Sequence, residues 1–352
     1  MIKRKKTKAV KVGNVTIGSA SPIVVQSMTK VSTQDVGKCV KQVNQLAQAG
    51  CKLVRIAVPT KADTAAFAKI VQKVKIPLIA DIHFSAQRAI EAIEAGAAKI
   101  RLNPGNIKNR KDIFRIIDAA KMHDTAIRIG VNEASIRDLK QDNVSADKRV
   151  GLMLKELKQY VTLFESRDFE NIVLSAKSSN TARTIEVNRL ISNTFQYPIH
   201  LGLTHAGLCE DAQIPSAVCL GSLLSEGIGD TVRISIAGNP VVEVGVARSI
   251  LLSLGLVERQ EPEIIVCPTC GRTQIDVVKL AKKVKKAVSE CQKPLRIAVM
   301  GCFVNGPGEA ADADLAICGG KGKAYIYKKG KKTAVVPEAV IIETVLQLID
   351  KF

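Results

Sequence analysis

Residues 77–104 read PLIADIHFSAQRAIEAIEAGAAKIRLNP, and this stretch decides the fold. Leu78 to Ile82 is a short apolar run of the kind that forms a strand buried on both faces. Ala86, Ala89, Ile90 and Ile93 then recur at three- and four-residue intervals, the spacing of one apolar helix face, before Gly96 stops the helix. A second apolar run begins at Lys99. Strand, helix and strand in so short a stretch make one parallel crossover unit.

The same unit recurs on both sides of it. The expected strands are Ile23–Met28, Leu53–Val58, Pro77–Ile82, Lys99–Pro104, Ala126–Val131, Asn171–Ala176, Pro198–Leu203 and Asp230–Ile236. Their starts lie 22 to 32 residues apart, with one gap of 45 that must hold a longer helix or an insertion. Val36, Cys39, Val40, Val43 and Leu46 mark a further helix before Gly50. Eight βα units favour a closed (β/α)8 TIM-type barrel, with an open doubly wound sheet as the alternative. Past residue 258 the period breaks, and Pro262 marks a linker. The remainder reads as a small α/β domain: strands Glu263–Val266, Leu295–Met300, Asp314–Ile317 and Lys323–Lys328, with helices Asp276–Glu290 and Glu338–Lys351. The expected division is therefore a barrel over 1–258 and a small domain over 259–352.

In a barrel the carboxyl ends of the strands form the active face. Here those ends are polar: Arg55, Asp81, His83, Arg101, Asn103, Arg128, Asn132, Lys177, Thr204, His205, Arg233 and Ser235. Four arginines and a lysine on one rim make a polyanion site, with a phosphate or diphosphate as the natural counter-charge. The bland alternative is a set of internal Arg–Asp pairs, which needs more carboxylates than Asp81 supplies at these positions. Asn103-Pro104-Gly105-Asn106 and Gly238-Asn239-Pro240 are turns that can add backbone N–H donors to the rim.

The small domain carries Cys267-Pro-Thr-Cys270, then Cys302 thirty-two residues on, then Glu309 in Asn305-Gly-Pro-Gly-Glu309. Two cysteines with two residues between them can turn both sulfurs toward one ion or cluster. Three thiolates plus a weaker oxygen donor suit an iron–sulfur cluster with one open iron, whereas a structural zinc site would recruit Cys318 as its fourth sulfur. The other cysteines read as small buried hydrophobes.

Fifty-two basic against thirty-three acidic residues leave a net charge of +19, which calls for an acidic partner. No Trp, four Tyr and eight Phe make a poor stacking platform, so nucleic acid is disfavoured. Lysine-rich runs at Lys3–Lys8, Lys282–Lys286 and Lys328–Lys332 read as solvated faces. No apolar run is long enough to span a bilayer, and Lys3-Arg4-Lys5-Lys6 is followed by no leader core. A cytoplasmic, reducing location is expected.

The motifs Pro22-IVVQSMT-29, Ala80-DIHF-84, Asn103-PGN-106, Arg128-IGVN-132, Gly227-IGDT-231, Cys267-PTCGR-272 and Gly301-CFVNGPGEA-310 together resemble the bacterial 4-hydroxy-3-methylbut-2-enyl diphosphate synthases of the non-mevalonate isoprenoid pathway. The resemblance runs nearly end to end. It implies a [4Fe–4S] cluster on Cys267, Cys270, Cys302 and Glu309, and a homodimer in which one subunit's cluster serves the other's barrel. It also implies 2-C-methyl-D-erythritol 2,4-cyclodiphosphate as substrate, bound by Arg55, His83, Arg101, Asn103, Arg128, Asn132, Lys177, Arg233 and Ser235. The implied reaction is reductive ring opening and dehydration with two electrons from flavodoxin or ferredoxin, Glu309 being the exchangeable ligand. One position departs from the pattern: the family's Thr-Glu-Ala-Gly is here Thr204-His205-Ala206-Gly207. The implied catalytic pair is then Glu309 and His205, with Glu210 or Asp211 just after it as the alternative carriers of the proton-handling role. The readings kept beside this one are an impaired member of the family and a zinc-binding, nucleic-acid-associated protein.

Overall fold

The computed structural model describes residues 2–19, 21–103, 106, 107, 109–136, 144–204, 207–303, 308 and 311–352. They form two compact units, Met1–Val257 and Glu258–Phe352.

In the first unit, eight parallel strands alternate with helices. They are β3 (Val24–Met28), β4 (Leu53–Ala57), β5 (Leu78–Asp81), β6 (Lys99–Leu102), β7 (Ala126–Asn132), β8 (Ile172–Lys177), β9 (His200–Leu201) and β10 (Thr231–Val232). Their order, β8-β7-β6-β5-β4-β3-β10-β9, is closed by a parallel bridge between Leu174 and Ile199, giving a (β/α)8 barrel. The sheet closes on itself, so the open-sheet alternative falls. β9 and β10 are shorter than the expected runs. A Cβ on Gly202 would meet the Arg233 carbonyl oxygen at 2.4 Å, a packing only glycine permits. The 45-residue gap holds the twenty-residue helix α5 (Ala146–Glu165).

Helices α1 (Val36–Gln48) and α3 (Ala86–Glu94) begin where Asp35 and Ser85 cap them, each side chain accepting an N–H of the first turn. Gly50 and Gly96, at φ +100° and +93°, reverse the chain after these helices. Their apolar faces bury Cys39, Val43 and Leu46, and Ala89, Ala92 and Ile93, against the outside of the barrel. A small hairpin, β1 (Val10–Val12) with β2 (Val15–Ile17), closes the amino-terminal mouth. Its Val10, Val12 and Ile17 pack on Val24, Leu53, Ile79, Ala126 and Val173, an apolar plug that shuts one end of the barrel.

The amino-terminal basic run is not simply solvated. Arg4 pairs with buried Asp230 at 2.7 Å, and the Lys5 and Lys8 backbones donate to Gly227 and Gln196. The run is a strap along the barrel.

The second unit is a five-stranded sheet of β11 (Glu263–Val266), β12 (Arg296–Met300), β13 (Leu315–Gly320), β14 (Lys323–Lys328) and β15 (Lys331–Pro337), paired in that order. The first three are parallel and the last two antiparallel. Helix α9 (Val277–Ala287) and a terminal helix (Ile341–Asp350) cover one face. Lys282–Lys286 lies largely on the outer side of α9, solvated as expected. Strand β15 is an addition to the sequence reading. Lys329 and Gly330 adopt positive φ, 47° and 74°, the requirement of a two-residue hairpin turn, so the Lys328–Lys332 run joins two strands. Among the described residues no helix is long and apolar enough to cross a membrane.

Candidate active site at the carboxyl mouth of the barrel

Alternation along each strand sends every second side chain into the barrel. Above the apolar plug lies a polar layer. Gln26 Nε2 donates to Thr231 Oγ1 at 3.0 Å and faces His200 Nδ1, which lies 2.7 Å from Thr231 Oγ1. His200 Nε2 and Lys99 Nζ are fully enclosed without a hydrogen-bond partner among the described residues. Burial, then the neighbouring cations, pushes both groups well below their ordinary pKa values.

Above this layer is a cavity of about 660 Å³ lined by Arg55, Asp81, His83, Arg101, Arg128, Asn132, Lys177, Arg233 and Ser235, among others. Eight of the nine residues expected to bind substrate therefore share one wall. Asn103 is not in the lining; it is buried behind it, and its Nδ2 donates to Ser135 Oγ at 3.0 Å. His205 and Glu309 lie outside the described residues. Glu210 and Asp211 sit exposed in the first turn of helix α7 (Cys209–Ser225); neither is in the lining, but the Asp211 side chain lies beside Gly207, which is.

The charges do not balance. Five cations line the cavity, and Asp81 is the only carboxylate among its described lining residues. Asp81 lies 3.4 Å from Arg101, 3.4 Å from His83 and 3.8 Å from Arg55. Burial alone would raise its pKa, but Arg55, the His83 hydrogen bond and Arg101 together outweigh it and hold the carboxyl well below the usual range. Burial lowers Arg55 to about 10. Arg128 and Lys177 have no ion pair among the described residues, and burial followed by surrounding cations pushes both down. A guanidinium does not shed its proton in a protein, so for Arg128 this strain is a demand for an anion.

A second carboxylate escaped the sequence reading. Glu243, on helix α8 (Pro240–Ser253), is buried behind the rim, 3.4 Å from Arg233 and 2.9 Å from Lys30, and accepts from Ser27 Oγ at 2.7 Å. Internal pairing thus accounts for Arg55, Arg101 and Arg233 but leaves Arg128 and Lys177. Lys99 was also missed, although its two-residue spacing from Arg101 on one strand places both inside the barrel.

A side chamber of about 270 Å³ shares Asn132, Lys177 and Thr204 with the main cavity. There Glu133 sits 3.1 Å from Arg149 and 3.2 Å from Arg183 and accepts from Ser178 Oγ.

In the second unit the cysteine loops follow the parallel strands β11 and β12. Thr269, at φ +64°, bends the first loop, and Gln274 N donates to Gly301 O at 2.8 Å, tying the two loops together. Gly301 N donates to Cys267 Sγ at 3.1 Å, so the backbone of the second loop orients a sulfur of the first. Cys267 and Cys302 are half-buried and Cys270 exposed. Among the described residues no three His, Cys, Asp or Glu side chains gather at single-ion spacing. A cluster, whose ligands bind different irons, accepts wider separation than a single ion does. Cys318 is wholly buried in β13, and burial pushes its thiol up to about 12, which argues against a ready fourth thiolate.

Solved structures share the barrel. A dihydropteroate synthase from Stenotrophomonas maltophilia superposes with TM-score 0.52 at 15% identity, over 72% of this chain and 100% of its own. An N-acetylneuraminic acid synthetase from Leptospira borgpetersenii gives 0.50 at 13% identity, over 74% and 94%. At these identities the likeness shows fold alone. The sequence relatives are closer. A protein of Caldanaerobacter subterraneus is 47% identical, covering 100% of this chain and 99% of its own length, and one of Malacoplasma penetrans is 47% identical over 98% and 95%. Both are named 4-hydroxy-3-methylbut-2-en-1-yl diphosphate synthase (flavodoxin). Residues 7–248 match the GcpE TIM-barrel domain and residues 263–351 the GcpE protein C-terminal domain. The chain belongs to the GcpE family, and its curated relatives along the full length are synthases of 4-hydroxy-3-methylbut-2-en-1-yl diphosphate.

Proposed function

We propose that this chain is an oxidoreductase that opens and dehydrates 2-C-methyl-D-erythritol 2,4-cyclodiphosphate to 4-hydroxy-3-methylbut-2-enyl diphosphate, in isoprenoid biosynthesis by the non-mevalonate pathway. The observation that carries the reading is the cation surplus of the barrel cavity, in a chain whose relatives make a diphosphate product. Arg128 and Lys177, the two cations of the lining without an ion pair among the described residues, take the diphosphate charge. Arg55 and Arg101, held by Asp81, and Arg233, held by Glu243, are already oriented and add donors without reorganising. Asn132 and Ser235 offer hydrogen bonds from the same wall, and His83 is placed beside Arg101 and Asp81. Asn103 supports the wall from behind through Ser135.

Cys267, Cys270, Cys302 and Glu309 form the ligand set for a [4Fe–4S] cluster. When bound, it supplies electrons singly and a Lewis-acidic iron. The donor set supports this, since Cys267 already accepts a backbone N–H and lies on a loop tied to that of Cys302. Flavodoxin is the electron donor, with ferredoxin a second carrier of the same kind; the active assembly is a cytoplasmic homodimer. His205 handles the proton for which the family pattern has glutamate, because an imidazole transfers protons near neutral pH.

The test is anaerobic purification with iron and sulfide analysis, followed by reductant-driven turnover of the parent, His205→Ala, His205→Glu and Glu210→Gln. The expected result is about four irons and four sulfides per chain, as an Fe–S cluster of this type requires, with turnover lost only in His205→Ala. Stoichiometric zinc in a colourless protein overturns the cluster. Activity confined to His205→Glu makes the chain an impaired member of its family.

A further inference from the structure

The face of the small domain's sheet opposite α9 and the terminal helix has an aromatic centre flanked by ammonium groups. Alternation along β14 sends Ala324 and Ile326 into the helix-covered core and leaves Tyr325 and Tyr327 on the opposite side with Cys318. Val335 of β15, 47% exposed, pairs with Tyr325. Phe303, 48% exposed, lies just past β12 and places its ring 6.0 Å from that of Tyr325. Lys323 Nζ and Lys332 Nζ stand 5.6 and 6.0 Å from the centre of the Tyr325 ring. A solvated lysine run needs no such apolar centre. An aromatic patch with a charged rim is the composition of a protein-binding surface.

The face is continuous with the cysteine loops. Cys267 packs on the same cluster of side chains as Tyr325 and Tyr327, Phe303 directly follows Cys302, and Tyr325 is the register partner of Cys318. A carrier seated here would stand one layer of side chains from the ligand sulfurs.

We propose that the face centred on Phe303 and Tyr325 and flanked by Lys323 and Lys332 is the docking surface for an acidic one-electron carrier protein. This rests on the cluster reading above. The occupant is chosen by charge: exposed lysines on a chain of net charge +19 steer a partner whose carboxylates surround its redox group. In each encounter the reduced carrier loses one electron and the cluster gains it, so two encounters deliver the pair that the reaction consumes.

The experiment is stopped-flow reduction of the anaerobic, cluster-loaded protein by a bacterial flavodoxin in its hydroquinone form, across ionic strength, with dithionite as a small-molecule control. Lys323→Glu/Lys332→Glu is compared with Lys282→Glu/Lys285→Glu, which makes the same charge change on the outer side of α9. The expected result is a drop of about tenfold or more in the second-order rate constant at low salt for the first pair, with a flatter salt dependence. The second pair stays within about twofold of the parent, and dithionite reduces all three alike. Equal loss in both pairs, or loss in neither, overturns the surface while leaving the cluster intact. Failure of dithionite to reduce the parent overturns the cluster reading, and the surface with it.

Discussion

Glu243 Oε2 lies 3.4 Å from Arg233 Nε, so the last arginine of the rim is held from behind by a carboxylate on the helix that follows its strand. The same carboxylate meets Lys30, Ser27 and the Ile236 N–H. Glu243→Ala leaves two cations without this anion and is expected to cost about 3–5 kcal/mol of stability, the range for breaking a buried pair. Glu243→Gln, which keeps hydrogen-bonding capacity, is expected to cost less. Urea denaturation of the two variants measures both, and a loss below 1 kcal/mol in Glu243→Ala, the scale of a surface pair, would mean that the pair does not hold the rim.

Arg128 is the opposite case. It has no ion pair among the described residues and is strained by burial and its cationic neighbours. Arg128→Ala is expected to leave unfolding stability unchanged or raised. It should weaken binding of the cyclodiphosphate by about 1.5–3 kcal/mol, the worth of a charge-assisted hydrogen bond. Calorimetric titration beside denaturation checks the pair of outcomes. Large destabilisation with unchanged affinity would make Arg128 a structural residue.

Lys177 gives the pH dependence. Burial, then Arg128 and Arg233, depresses its ammonium pKa in the anion-free protein. A bound diphosphate offsets those cations and raises the pKa again, so binding takes up protons between the two values and tightens as pH falls through that window. In the anion-free protein the unfolded chain binds more protons at this group than the folded chain, so stability from this residue rises as pH climbs toward its ordinary value. Titration in buffers of different ionisation enthalpy reads the uptake. Proton release, or no pH dependence after Lys177→Met is compared with the parent, contradicts the assignment.

The barrel was legible because buried parallel strands announce themselves: Leu53 to Ala57 and Ile172 to Lys177 stand out against amphipathic helices, and the rim arginines interrupt those runs. Glu243 was not legible, because one glutamate in a helix reads as surface until the fold turns it inward. Lys99 looked like a strand boundary, though its parity with Arg101 shows the direction in which it points. Strand β15 was hidden by the consecutive Lys331 and Lys332 at its start, both exposed on an edge strand where charge is normal. The roles of His205 and Glu309 rest on motif alone, since neither lies among the described residues.

The homodimer proposal predicts complementation. Cys302→Ser removes a cluster ligand and Arg128→Ala weakens the cavity, so each homodimer is expected to be inactive or nearly so. Mixed and exchanged, they should form heterodimers that regain activity if one subunit's cluster serves the other's cavity. Cys318→Ser, which leaves the proposed ligand set whole, is expected to retain iron. Failure to recover activity after proven exchange would place a complete site in each chain.

The central claim is that this chain reduces a cyclic diphosphate to an open allylic one. Phosphorus NMR of 2-C-methyl-D-erythritol 2,4-cyclodiphosphate, incubated anaerobically with the cluster-loaded protein and reduced flavodoxin, tests it most directly. The account predicts replacement of the cyclic phosphorus signals by those of a linear diphosphate monoester, with two electrons consumed per molecule and dependence on Arg128. Unchanged cyclic signals, from protein with full iron content and a reducible cluster, would contradict it.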